Sequence, residues 1–104
     1  MNPNIDKSTV LTEQEITDLC EPIFRKFKVK YCYLFGDYAK GTADRMSEVK
    51  LMVDCQMTEP SYLRMEKTLQ TTLRKRIVLV TYAELSEHAE LKSAVAQCCR
   101  KIYG

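Results

Sequence analysis

Between residues 31 and 54 the chain reads YCYLFGDYAKGTADRMSEVKLMVD: a strand, a turn bracketed by Gly36 and Gly41, a loop and a second strand. Glycines at such a turn let backbone N–H groups come close to an anion, and the start of a short helix favours negative charge there. Lys40 lies within the turn and Ser47 just before the second strand. This is the outline of a site that handles phosphate. Side chains two positions apart on a strand share a face, so positions 48 and 50 look the same way. A divalent metal would want a carboxylate at both. Glu48 supplies one, but Lys50 puts an ammonium where the other belongs.

The elements that would hold these residues can be read from periodicity. Thr12 and Glu15 form a capping box that opens a first helix. Ile16, Leu19, Cys20, Ile23, Phe24 and Phe27 then recur on one of its faces. Pro22 falls within that helix, at the cost of a hydrogen bond and with an expected kink. Residues 29–35 are rich in β-branched and aromatic types and read as a strand that Gly36 ends. DYAKG makes about one helical turn, residues 42–47 a loop, and VKLMVDC a second strand.

Thr58, Glu59 and Pro60 are helix-start residues, and Tyr62, Met65, Leu69 and Leu73 make the inward stripe that follows. The continuous apolar run IVLV, 77–80, is expected to be a central strand covered on both faces. Thr81 and Glu84 cap a further short turn, and a last helix is expected from Ser86 to near Arg100, with Leu91, Ala94, Val95 and Cys98 inward. The order helix, strand, short helix, strand, helix, strand, helix defines an α/β (α+β) domain, a small sheet with helices packed against it. Residues 1–10 are polar and read as a flexible lead-in; residues 11–104 read as one domain.

Composition narrows the class. Of 104 residues, 45% are hydrophobic and 29% charged, the balance of a globular rather than a disordered chain. No apolar run approaches the roughly 20 residues of a membrane span, and MNPNIDKSTVLTEQE lacks the basic-then-apolar order of a signal peptide. A cytoplasmic protein is expected. The five cysteines include no C-x-x-C pair and read as reduced thiols, while His88, the single histidine, has no partner at metal-ligand spacing. The net charge of +2 carries no strong nucleic-acid signal. The basic stretches Arg25–Lys30 and Arg74–Arg76 fall at expected helix ends, where cations meet the dipole; a rim facing phosphates or an acidic partner is the alternative.

GDYAKGTADRMSEVKLMV, 36–53, resembles the signature of the minimal nucleotidyltransferases, small members of the DNA polymerase beta superfamily. Gly36, Ala39, Lys40, Gly41, Ser47 and Leu51 keep the frame of that signature. KRIVLVTYAEL (75–85) is similar to the family's third-strand segment, and ELKSAVAQCCRKIYG (90–104) to its last helix and tail. The resemblance covers roughly residues 11–104 and implies a nucleotidyltransferase-like fold with a small mixed β-sheet. It further implies nucleotide binding by Gly36, Asp37, Lys40, Gly41 and Ser47, with ATP or another nucleoside triphosphate as ligand. Such enzymes hold Mg²⁺ on three carboxylates, and the metals stabilise the attacking and leaving oxygens of an in-line displacement.

Here the pattern breaks. Asp37 stands where the family has serine, Glu48 at the first metal carboxylate, Lys50 at the second and Val78 at the third. Glu48 is the one remaining metal ligand. A unit cation about 4 Å from a divalent one repels it by roughly 8 kcal/mol at an effective dielectric of 20. Two-metal catalysis is therefore not expected, and the departures suggest a compensating ion pair between Asp37 and Lys50.

The function implied is that of a nucleotidyltransferase-like pseudoenzyme acting by contact. Its partner would be a helical toxin, as for an antitoxin, or a helical substrate-binding subunit, or a second copy of itself. Exposed apolar surface at Tyr31, Tyr33, Tyr62, Ile102 or Tyr103 would support this. One alternative is an active Mg²⁺-dependent nucleotidyltransferase in which Asp44 or Asp54 joins Glu48. Six residues of strand carry Asp54 roughly 20 Å away, so Asp44 is the better placed. The other is a nucleotide-binding protein without transfer, with Lys50 in the metal's place.

Overall fold

The computed structural model describes residues 9–104, so the lead-in expected over 1–10 lies outside the described residues except for Thr9 and Val10. Helix α1 spans Glu13–Lys26, opened as expected: Thr12 Oγ1 accepts from the Glu15 amide at 3.0 Å, and Glu15 Oε1 from the Thr12 amide at 2.9 Å. It runs on through Pro22, which is exposed. A residue at positive φ, Lys28, turns the chain into β1, Tyr31–Phe35. There follow α2 (Asp37–Lys40), β2 (Val49–Asp54), α3 (Glu59–Leu73), β3 (Ile77–Thr81), α4 (Tyr82–Leu85), α5 (Ala89–Gln97) and β4 (Cys99–Tyr103).

The strands form one mixed sheet in the order β3-β2-β1-β4. β1 is antiparallel to both β2 and β4, and β2 is parallel to β3, with α3 as the crossover that parallel neighbours require. This is the α/β architecture with a small mixed sheet expected from the sequence.

Two apolar clusters sit on opposite faces of the sheet. On one, Leu34, Val49, Leu51 and Val53 meet Ile16, Cys20 and Phe24 of α1 and Met65, Leu69 and Leu73 of α3. On the other, Phe35, Met52 and Val80 are covered by Leu85 of α4 and by Leu91, Ala94 and Val95 of α5. Each fully buried Leu or Phe stabilises the fold by about 1.5–3 kcal/mol relative to exposure.

Two expectations are corrected. The IVLV run is an edge strand, not a central one. Its lack of alternation has another cause: Ile77 and Leu79 enter the first cluster, Val78 and Val80 the second, so both faces are covered although among the described residues no strand pairs with its outer edge. The carbonyl of Leu79 accepts from the Tyr62 hydroxyl at 2.9 Å. The last helix stops at Gln97, and Cys98–Cys99 turn into a fourth strand that the sequence had not suggested. In β4 only Ile102 is buried while Cys99, Arg100 and Lys101 are exposed, so no alternation announces it; pairing with β1 overrides local pattern.

The five cysteines are free thiols. Burial pushes the Cys20 thiol up to about 12, and burial, then the nearby Cys20, holds Cys32 well above the ordinary 9.0. In the folded protein both keep their protons past the point where an unfolded chain releases them. Stability is therefore full below about pH 9 and falls as pH rises from there towards the folded values. Urea midpoints at pH 7 and pH 10 will show that loss, and Cys20→Ala will make it smaller.

Candidate functional site

The turn that ends β1 is set by Gly36, at φ 76° and ψ −154°, a region open essentially to glycine alone. Its carbonyl accepts from the amides of Ala39 and Lys40 at 3.0 and 3.1 Å, closing the single turn of α2. Gly41, left-handed at φ 78°, caps that turn through its own amide to the carbonyl of Asp37. The loop that follows is pinned by Asp44. Its Oδ1 accepts from the Met46 amide at 2.8 Å and the Ser47 hydroxyl at 3.3 Å, while Ser47 Oγ accepts from the Asp44 amide at 2.9 Å.

From there β2 begins. Lys50 pairs with Phe35 of β1 on one side and with Val78 of β3 on the other. The fold thus brings Gly36, Lys50 and Val78 together at one end of the sheet, with Glu48 leading into the strand. The stem of Lys50 lies across Gly36: a Cβ at position 36 would stand 2.8 Å from Lys50 Cδ. Gly36→Ala should lower stability by about 1–3 kcal/mol, most of it from the backbone conformation. Adding Lys50→Ala should recover only the part due to the contact, as urea midpoints of the two variants will show.

The expected ion pair between Asp37 and Lys50 is absent. Asp37, exposed at the first position of α2, turns its carboxylate to the Thr42 hydroxyl at 3.1 Å, and the described ion pairs are Arg25–Glu21 and Arg100–Glu13. Lys40 Nζ reaches Gln97 Oε1 at 3.1 Å, linking α2 to α5. Asp54 sits at the far end of β2, opposite Tyr31, away from Glu48. Asp44 is held in its turn. Among the described residues no three His, Cys, Asp or Glu side chains converge as metal ligands. The donor set at positions 48, 50 and 78 is one carboxylate, one ammonium and one hydrocarbon, which does not fit a pair of magnesium ions.

Apolar exposure is not where the sequence pointed. Ile102 is buried, and Tyr31, Tyr33, Tyr62 and Tyr103 are half-buried; among the described residues the large exposed apolar side chains are Val10, Met46, Leu63 and Tyr82. The basic run Arg74–Arg76 begins at the end of α3, as expected, and continues into β3. Arg74 is the C-cap of α3 and Arg76 leads into β3, so neither lies in the helix's last turn. With Arg45, Lys75 and Glu48 they line a groove of about 790 Å³. Sequence reasoning had seen the run but not the loop cation that joins it.

No family model matches the chain, and no curated protein matches it. Solved structures do. A chain of a toxin–antitoxin crystal structure with AMP-PNP superposes with a TM-score of 0.68 at 22% identity, over 85% of this chain and 73% of that one. A chain of a mutant MntA–HepT toxin–antitoxin complex gives 0.65 at 25% identity, over 90% and 74%. A third, from the tri-AMPylated Shewanella oneidensis HEPN toxin in complex with MNT antitoxin, gives 0.65 at 18%, over 89% and 73%. The fold is nucleotidyltransferase-like, shared with chains of toxin–antitoxin complexes. Among the described residues no helix is long and apolar enough to cross a membrane.

Proposed function

We propose that this protein is a cytoplasmic, antitoxin-like member of the nucleotidyltransferase superfamily. It acts by holding a helical toxin-like partner, and its metal-dependent transfer chemistry has been lost. The observation that carries the reading is Lys50, a cation laid over Gly36 and paired across the sheet with Val78, at the place where the fold's carboxylates would gather. Similarity to chains from complexes with a HEPN toxin supports a protein partner. A substrate-binding subunit or a second copy would meet the same surface requirements.

A second reading has an observation of its own. Because Asp37 is bonded to Thr42 and not to Lys50, the ammonium is left to meet another anion, and a triphosphate could use it in the metal's place. Calorimetric titration with ATP, with and without Mg²⁺, separates the readings. No binding in either condition is the expected result. Binding without magnesium dependence would favour a nucleotide sensor, and binding that requires magnesium would overturn the loss of metal chemistry and call for a transfer assay.

A further inference from the structure

We infer that the groove between the 42–48 loop, the end of α3 and the start of β3 is a docking site for an acidic, partly apolar segment of a protein partner. The groove encloses about 790 Å³ and brings four cations, Arg45, Arg74, Lys75 and Arg76, against one carboxylate, Glu48. Arg45, Arg74 and Arg76 are exposed, and none takes part in the ion pairs of the described residues. Their guanidinium groups are planar donors suited to carboxylates.

The surface is built in advance. Lys75 is buried and its Nζ lies 3.5 Å from the carbonyl of Arg45, tethering the loop to the end of α3. The Asp44 turn fixes the Met46 amide two residues on, so Met46 projects with 77% of its surface exposed because the loop is held there. Arg74 occupies a left-handed position, φ 56°, that usually falls to glycine. Conformation alone would not choose arginine at that place. A groove ordered before binding loses less freedom when it is filled.

The occupant follows from the walls. Met46 and Ile77 give the groove apolar surface, and methionine adapts to varied apolar partners. No aromatic side chain lines it, whereas proteins that hold single-stranded nucleic acid stack bases on aromatic rings. Cations around an aliphatic floor fit glutamate and aspartate flanking an aliphatic side chain better than a phosphodiester chain. The inference rests on the partner-binding reading and names the chemistry of that partner's segment.

The test uses the full chain and labelled probes of about twelve residues: a peptide of mixed Glu and Leu, its Lys and Leu counterpart, and a uridine oligonucleotide of matched charge. Fluorescence anisotropy should show that the acidic peptide binds and the basic one does not. Affinity should fall at least tenfold in Arg74→Glu/Arg76→Glu, and should fall as salt rises from 50 to 500 mM. Arg74→Gly keeps the left-handed turn. It should weaken binding while leaving the urea midpoint unchanged or higher, which separates recognition from folding.

Tighter binding of the oligonucleotide, lost in the same double variant, would overturn the assignment in favour of nucleic acid. Self-association in sedimentation, abolished by the charge reversal, would overturn it in favour of a second copy. Peptide binding that survives the reversal, or no peptide binding, would remove the groove as a docking site. Magnesium-dependent ATP binding would strike the loss of metal chemistry, since it reports on the Lys50 site, which shares Glu48 with this groove, and not on Arg45, Arg74 or Arg76.

Discussion

The double variant Lys50→Asp/Val78→Asp is expected to bind Mg²⁺ at least a hundredfold more tightly than the unaltered protein. Both positions look out from the same face of neighbouring parallel strands, as a registered pair, and such strands lie about 4.8 Å apart. With Glu48 they would place three carboxylates around one point. At about 4 Å and an effective dielectric of 20, replacing an ammonium by a carboxylate changes the energy of a nearby divalent ion by roughly 16 kcal/mol. Lys50 is half-buried, so water screens most of that. A hundredfold needs only about 2.7 kcal/mol, which leaves a wide margin.

Two carboxylates forced together without a metal repel each other. The variant should therefore melt lower than its parent in chelator and regain stability as Mg²⁺ is added, a linked readout independent of any transfer activity. Calorimetry and the melting temperature must agree. If neither responds to Mg²⁺, the ends of β2 and β3 do not surround a single ion, and reading Lys50 as the charge that keeps metal out is wrong.

Phe24→Ala should produce the largest loss of stability among single substitutions in the described residues, about 3–5 kcal/mol. Phe24 is fully buried on α1, and its ring meets Tyr103 of β4 edge-on, with centroids 5.4 Å apart. It therefore fastens the first helix to the outermost strand as well as filling the core. Domains of this size are stable by about 5–15 kcal/mol in total, so the variant is expected to be partly unfolded at 37 °C. A urea titration followed by circular dichroism will measure it. Met46→Ala, at an exposed position, should move the same midpoint by less than about 0.5 kcal/mol.

The parts of this fold that were legible in the sequence are those written in local chemistry. Thr12 with Glu15 and Thr81 with Glu84 announce helix starts because the two residues of each box bond to one another. Gly36 and Gly41 announce a turn because both sit at positive φ. What could not be read depends on distant segments. β4 is a strand because β1 offers it an edge, and nothing in CRKIY says so. IVLV looks central because helices cover both its faces, a fact about layers that says nothing of strand order.

The site divides in the same way. That Lys50 shares a face with Val78 follows from strand period and register, and the resemblance to the nucleotidyltransferase signature already implied it. Asp37 went elsewhere because Thr42, five residues on, offered its carboxylate a nearer donor than Lys50 did. The groove needed Arg45, from a loop, to stand beside Arg74 and Arg76, some 30 residues later in the chain. Lys75, whose Nζ lies 3.5 Å from the Arg45 carbonyl, links the loop to the end of α3.

The pairing of β1 with β4 has a consequence for how the chain reaches this state. Cys32 faces Tyr103 across that ladder, so about 70 residues of chain must be closed into a loop before the pair can form. The β1–β2 hairpin and the β2–α3–β3 unit span much shorter stretches and can form earlier. Until β4 arrives, the outer edge of β1 presents unpaired N–H and C=O groups flanked by Tyr31 and Tyr33, the kind of edge on which two chains can join. Yield on refolding should therefore drop as protein concentration rises, with the missing fraction lost through intermolecular strand pairing at β1.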